Sequence, residues 1–324
     1  MILPAPRRLA GLPTTRPHRP AVRPARPMRF RRTRLLIVGC GDVGLRAVAA
    51  LPTRVRVLAL SSSPARFPEL RARGITPLVG NLDDPTSLRR LAGLARHVLH
   101  LAPPPGQSEG DPRTRALLRA LAHGRAGSGA GTSTTLIYGS TSGVYGDCAG
   151  ALIDETRTPR PITARARRRV AAEALLRDWG QRSARRRVSI LRIPGIYAPD
   201  RPGGTPRERL LAGTPTLRAE GDVYTSHIHA DDLARACIAA LWRGRPQRVY
   251  HVSDDSHMKL GDYLDLAAQR YGLPRAPRLT RAQAEQALTP ERMSFLRESR
   301  QLDNRRMKQE LRLSLRYPTV AQGL

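Results

Sequence analysis

The sequence predicts an α/β fold: a doubly wound parallel sheet with helices on both faces and a small C-terminal lobe. Three observations carry this prediction. Short apolar runs alternate with helical stretches from Leu35 onward, a glycine-rich turn joins the first run to the first helix, and the rhythm changes to loops and helices after Pro194. Alternation of this kind sets parallel strands side by side and covers both faces, so the strands read as near-continuous apolar runs.

In chain order, Leu35-Leu36-Ile37-Val38 is the first buried strand, followed by a glycine turn and an apolar helix over residues 43–51. Residues 55–60 and 76–79 supply the second and third strands, 97–102 the fourth, 136–138 the fifth, 188–193 the sixth and 248–252 the seventh. Helical patterns intervene, as at residues 117–123 and 170–179. Further on, Thr280-x-x-Gln283 has the spacing of a capping box, and Thr289-Pro290 puts proline in the first turn of another helix. The expected division is a Rossmann-type domain over residues 34–200 and 228–254, with a substrate lobe formed by 201–227 and 255–324.

The chain has 324 residues, 40% of them hydrophobic, which is enough for a substantial core. Its formal charge is +30, from 56 Lys+Arg against 26 Asp+Glu. A charge this large first suggests nucleic acid, but lysine occurs only at Lys259 and Lys308 and aromatics make up 4%. A phosphate-binding surface mixes both basic types and interleaves aromatics, whereas near-exclusive arginine follows from a GC-rich genome alone. A nucleic-acid partner is therefore not expected. Residues 1–33 are rich in arginine and proline, lack acidic side chains and show no apolar periodicity, so this segment is expected to be a disordered tail. Met28 offers an alternative start just before the first strand, and a basic arm or transit peptide is the other reading of the tail. No apolar run approaches the ~20 residues of a membrane span. Cys40, Cys148 and Cys237 show neither paired nor metal-ligand spacing, which fits a reducing, cytoplasmic setting without a zinc site.

Gly39-Cys40-Gly41-Asp42-Val43-Gly44 lies between the first strand and the first helix, where a dinucleotide turn belongs. Gly39 permits the tight turn, Gly41 lets backbone approach a pyrophosphate, and Gly44 lets helix and strand pack closely. The helix N-terminus then presents N–H groups and the positive end of its dipole to the anion. After the second strand, an acidic residue would hold the ribose 2′-OH of NAD. Ser61-Ser62-Ser63 and Arg66 stand there instead, and hydroxyls with a guanidinium suit the 2′-phosphate of NADP. The plainer alternative is that the serines form a turn and cap the next helix.

With these motifs in order, the chain from Leu35 to the C-terminus resembles the extended short-chain dehydrogenases, the NAD-dependent epimerase/dehydratase group. Gly80-Asn81-Leu82 is similar to that family's Gly-Asp-hydrophobic turn, and the resemblance implies that Asn81 accepts a hydrogen bond from the adenine amino group. His100-Leu101-Ala102 resembles the segment that runs under the cofactor, and the stretch from Leu191 through Pro194 to Tyr197 resembles the one beside the nicotinamide. Ser140-Thr141-Ser142-Gly143-Val144-Tyr145-Gly146 is similar to the family's Ser-Ser/Thr-x-x-Val-Tyr-Gly stretch. There Thr141 takes the place of the hydroxyl that binds the substrate's reacting oxygen. The segment Ile228-His229-Ala230-Asp231-Asp232 resembles a downstream motif read as structural.

One departure matters more than these matches. The family carries Tyr-x-x-x-Lys on the helix after the fifth strand, and here Arg165 and Arg169 occupy those positions. The lysine lowers the tyrosine's pKa for proton exchange, whereas a guanidinium stays protonated at any working pH. Two readings stay open. Both arginines, four apart on one helix face, could hold an anionic substrate or a cofactor phosphate. Alternatively, Arg169 pairs with Glu173 while Arg165 is solvated in an arginine-rich run. Should another acid replace the phenol, Tyr145, Tyr197 and His227 are the available groups. The resemblance implies an NAD(P)-linked oxidoreductase, epimerase or dehydratase acting on a sugar-like or carbonyl small molecule. The alternative is a dinucleotide-binding regulatory protein without turnover. Relatives often pair through helices flanking the sheet, which leaves a homodimer open.

Overall fold

The alternation of side chains along each strand decides which face of the sheet it feeds. In β1 (Arg34–Val38), Leu35 and Ile37 enter one core cluster, while Leu36 and Val38 enter the other. The structure is a computed structural model that describes Met1 and residues 33–122 and 133–324. The expected disordered tail lies outside the described residues apart from Met1 and Thr33.

All seven expected strands are present: β1, β2 (Arg56–Ser61), β3 (Thr76–Val79), β4 (His97–His100), β5 (Thr134–Thr141), β6 (Arg186–Ile193) and β7 (Arg248–His251). They form one parallel sheet in the order β3-β2-β1-β4-β5-β6-β7. The chain turns from one half of the sheet to the other between β1 and β4, where open α/β sheets bind ligands beyond the strands' carboxyl ends. Alternation continues across the sheet: Leu99, Ile137 and Leu191 join the first cluster, and Val98, Leu136 and Ile190 the second.

Helices α1 (Asp42–Ala49), α2 (Phe67–Ala72), α3 (Pro112–Ala122) and α4 (Ala164–Gln181) follow β1, β2, β4 and β5, with α5 (Arg207–Leu211) and α6 (Ala230–Arg243) after β6. The C-terminal part adds α7 (Leu260–Tyr271), α8 (Arg281–Ala287) and α9 (Pro290–Leu296). Thr280 and Gln283 form the expected reciprocal capping box on α8, and the Thr289 side chain caps α9. Not all of this part stays away from the sheet: Met307, Leu311 and Leu313 pack into the first core cluster. The chain thus returns to the sheet domain near its end, within a stretch expected to belong to the lobe.

The three cysteines are unpaired and buried. Among the described residues no helix is long and apolar enough to cross a membrane, and no group of His, Cys, Asp or Glu could hold a metal ion.

Candidate active site

The glycine turn leaves β1 at Gly39, whose φ of +84° lies in the left-handed region. A Cβ there would stand 2.4 Å from the backbone N of Ala102, at the end of β4, so only glycine lets the two chain segments touch. Gly41 is different: nothing lies within 4 Å of where its Cβ would be. A Cβ on Gly44 would lie 3.3 Å from Cys40 Sγ and 3.5 Å from Ile37, so its absence lets α1 pack closely on β1. The three glycines meet the demands of a turn, an open approach and a close packing contact. That arrangement fits a dinucleotide pyrophosphate set against the start of α1.

Gly39, Gly41, Asp42, Val43 and Gly44 line a groove of about 330 Å³ together with Thr141, Arg169, Pro194 and Arg201. Asp42 is held by Arg46, whose Nε donates to Asp42 Oδ1 at 3.0 Å. The same guanidinium binds Asp231 at 2.6 Å and Asp200 at 2.7 Å. Arg201 Nε lies 3.4 Å from Asp42 Oδ2, which places a cation beside the only acid of the turn.

Ser61, Arg66, Asn81 and Leu82 are not among the groove-lining residues. Ser61 Oγ accepts the Ser63 N–H, so the serines do form a turn, but no serine side chain caps the short helix that follows. Arg66 is held only loosely, by Glu69 at 3.4 Å. Asn81 Oδ1 accepts the Asp83 N–H at 3.0 Å, so the oxygen expected to meet adenine already supports its own turn, and Leu82 packs into the core. Ala102 is buried, and its N–H donates to Val38 O.

A second cavity of about 440 Å³ adjoins the groove and shares Thr141 and Pro194 with it. Thr141 ends β5. Its Oγ1 accepts the Gly143 N–H at 3.2 Å, which leaves the hydroxyl hydrogen available to a ligand. Arg165 lines this cavity and lies over the Phe295 ring at 4.6 Å. Arg169, one turn along α4, lines the groove and donates to Gly139 O at 2.8 Å and Tyr138 OH at 3.0 Å. The expected alternative pairing of Arg169 with Glu173 is not formed, and Arg165 is exposed while lying against Phe295. Sequence reasoning missed Arg209, Arg292, Glu298 and Arg300, which also line the cavity. Arg209 is far in sequence from the stretch that carries Arg292, Glu298 and Arg300, and no common motif links them, so no spacing could have revealed the set.

Tyr145 requires a correction. It lies outside the lining of both cavities, 1% exposed, in a buried network. Arg192 Nη1 donates to Tyr145 OH at 2.6 Å, so the phenol hydrogen goes to His251 Nε2 at 2.5 Å. His251 Nδ1 then donates to Asp303 O. Burial pushes the Tyr145 phenol up to about 12. The ring packs in a buried cluster with Val144, Cys148, Ile153 and Leu302, away from both spaces, which defeats the expectation of a catalytic role. Tyr197 is likewise buried and donates to Thr319 O. Of the three alternative acids, only His227 lines the cavity, and burial holds its imidazole down to about 4.

The buried histidines make the fold acid-sensitive. Burial lowers His100 and His251 from 6.5 to about 3 and His227 to about 4, so these rings bind fewer protons folded than unfolded. Stability therefore rises with pH from those folded values to the unfolded one, and falls on acidification by about 1.4 kcal/mol per histidine per pH unit. Asp254, raised by burial from 3.8 to about 7, binds more protons folded and opposes the trend between those values. His97 and His229 are lowered by burial as well, and Glu155 and Asp222 are raised like Asp254, so with five histidines against three carboxyls Tm measured at pH 5 is expected to lie below Tm at pH 7. An equal or higher value at pH 5 would contradict this account.

A parallel sheet with a glycine cradle at its switch point, opening onto a second cavity, is the arrangement of a dinucleotide-binding protein. The sequence matches the family model described as "NAD dependent epimerase/dehydratase family" over residues 35–253, and the chain belongs to that family. It is thus a nicotinamide dinucleotide-binding, epimerase-like protein. A functionally unknown conserved protein from Silicibacter pomeroyi DSS is 30% identical, with a TM-score of 0.71 over 90% of this chain and 96% of that one. A nucleoside-diphosphate-sugar epimerase from Pseudomonas aeruginosa is similar in fold at 17% identity, with a TM-score of 0.72 over 90% of this chain and 94% of that one. The UDP-glucuronic acid 4-epimerase from Bacillus cereus, in complex with NAD, has 19% identity and a TM-score of 0.68 over 90% and 96% of the two chains. Comparison with curated proteins gives no match.

Proposed function

We propose that the protein is an NAD(P)-linked oxidoreductase or epimerase acting on a sugar-like small molecule at the junction of the groove and the cavity. The observation that carries this reading is that Thr141 and Pro194 line both spaces, so a group in one meets a group in the other there. When bound, the nicotinamide supplies acceptance and return of a hydride. The chain supplies binding and orientation, and His227 in the cavity lining takes up or returns the proton that accompanies the hydride. Gly39 and Gly41 cradle the dinucleotide, Thr141 donates its hydroxyl hydrogen to the reacting oxygen, and Arg169, fixed by Gly139 O, supports the end of β5 beneath it. Arg165 and Arg169 hold charge but exchange no proton at working pH. That limitation favours, as the second reading, a dinucleotide-binding protein without turnover.

For the cofactor we propose NADP, because the loosely held Arg66 can turn to a 2′-phosphate. Equilibrium titration is expected to show NADPH binding more tightly than NADH, with Arg66→Ala weakening NADPH alone by about tenfold. Tighter NADH binding would reverse the choice. Thr141→Ala is expected to keep dinucleotide affinity and lose turnover of carbonyl or sugar-nucleotide substrates. Wild-type protein that binds NADPH yet oxidises it with none of them points to the second reading.

A further inference from the structure

Two guanidinium groups and three carboxylates meet at the edge of the glycine turn. Arg46 bonds Asp42, Asp200 and Asp231, so a single positive charge is divided among three negative ones. His229, whose ring lies 4.0 Å from Asp231, is held below its ordinary pKa by burial and adds no charge at neutral pH. Arg201 is the second cation, and it is bound less firmly. Its Nε stands 3.4 Å from Asp42 Oδ2, and that oxygen is buried without a hydrogen-bond partner. Nη1 donates to Ile196 O at 3.2 Å, while Nη2 has no protein partner among the described residues. The backbone under this side chain is fixed. Ala198 N–H donates to Gly204 O at 3.1 Å and Gly204 N–H to Arg201 O at 2.9 Å, and a Cβ on Gly204 would lie 2.4 Å from Ala198 O. The loop closes on itself, so only the Arg201 side chain is free to change partner.

Asp42 and Arg201 both line the groove with Gly41, where the backbone is open. A pyrophosphate entering this cradle and the Asp42 carboxylate compete for the same guanidinium. Both are anions, and one planar fork cannot serve both at full strength. The turn thus carries its own competitor for the ligand. Such a carboxylate lowers affinity twice, by holding the cation in the empty state and by repelling phosphate in the filled one. A protein that keeps one dinucleotide through every turnover gains nothing from a competitor. One that takes up a fresh dinucleotide in each cycle does gain, because release limits turnover when binding is too tight.

We propose that Arg201 exchanges Asp42 for the dinucleotide pyrophosphate, and that this exchange makes the dinucleotide a released co-substrate rather than a resident group. The proposal rests on the preceding reading of the groove as the dinucleotide site, and it selects net oxidoreduction over epimerisation. In the reducing direction a substrate carbonyl carbon takes the hydride of NAD(P)H, the C=O π pair moves to oxygen, and oxygen takes a proton. The alcohol and NAD(P)⁺ leave, and a separate dehydrogenase-type reaction must reduce NAD(P)⁺ again.

The full chain is purified without added dinucleotide, and its bound nicotinamide is measured after denaturation. Fluorescence titration and stopped-flow displacement then give the affinity and dissociation rate of whichever of NADPH and NADH binds more tightly. The wild-type protein is expected to emerge with less than about a tenth of an equivalent bound and to take up the dinucleotide reversibly. Asp42→Asn keeps an oxygen for Arg46 but withdraws the charge from Arg201. It should bind the dinucleotide about tenfold more tightly, mainly through slower dissociation. Arg201→Gln should weaken binding about tenfold, Arg201→Lys should weaken it less, and the double variant should lose the gain of Asp42→Asn. Three results would each overturn the proposal: wild-type protein that retains about one equivalent through purification, Asp42→Asn that binds no more tightly at an unchanged urea midpoint, or Arg201→Gln that binds at wild-type strength. Failure of every variant to bind NAD⁺ or NADP⁺ at about 1 mM would instead overturn the dinucleotide reading on which it stands.

Discussion

Arg192→Met is expected to destabilise the fold by about 3 kcal/mol, because it leaves a buried carboxylate with only the half-exposed Arg177 as counterion. Arg192 and Glu173 are each 1% exposed. Their contact is bidentate, with Nη2 to Oε2 at 2.7 Å and Nε to Oε1 at 3.1 Å. Ser140 Oγ, next to Thr141, donates to the same carboxylate at 2.7 Å, and Arg177 reaches it from the helix surface. The substitution also strips Tyr145 of its donor. Glu173→Gln, which removes the charge instead, is expected to cost less when combined with Arg192→Met than the two single costs added together. Urea unfolding of the two single variants and the double variant measures this coupling. A single-variant cost for Arg192→Met below about 1 kcal/mol, the range of an exposed pair, would show that the network does not carry charge in the way its burial implies.

The second large effect separates two glycines of one motif. Gly39→Ala combines a left-handed backbone with a Cβ 2.4 Å from a backbone nitrogen, and neither β1 nor β4 can yield without disturbing the sheet. A loss of at least about 2 kcal/mol in stability is expected. Gly41→Ala meets nothing within 4 Å, so its unfolding midpoint should stay near that of the wild type. Its methyl group nevertheless stands where a pyrophosphate must approach the backbone, and dinucleotide affinity is expected to fall by about tenfold or more. Urea midpoints paired with NADPH fluorescence titrations read both quantities. Gly41→Ala binding NADPH at wild-type strength would move the pyrophosphate away from this turn.

The sheet was legible because burial on both faces leaves an unmistakable mark: runs such as Leu35-Leu36-Ile37-Val38 have no room for polar residues. The glycine turn was legible because backbone geometry restricts residue choice more tightly than packing does. Legibility ended where a role depends on which way a side chain turns. Tyr145 and Thr141 lie in one motif only four residues apart, yet one faces a cavity and the other joins Arg192 and His251 inside the protein. Asn81 retains the right chemistry, but its oxygen already serves Asp83. Arg165 was visible only as an exception to a pattern. Arg209 and Arg292 were not visible at all, because two short helices far apart in sequence bring them together.

Arg46 shows how the groove is held before any ligand arrives. Its single guanidinium bonds Asp42 in the glycine turn, Asp200 in the loop after β6, and Asp231 in the first turn of α6. Three segments with no sequence proximity are thereby pinned to one planar group of fixed geometry. The ordering entropy of the cradle is lost when the chain folds rather than when the dinucleotide binds. More of the contact free energy made on binding then appears as affinity. The turn and the loop at the groove's edge accordingly behave as one rigid seat.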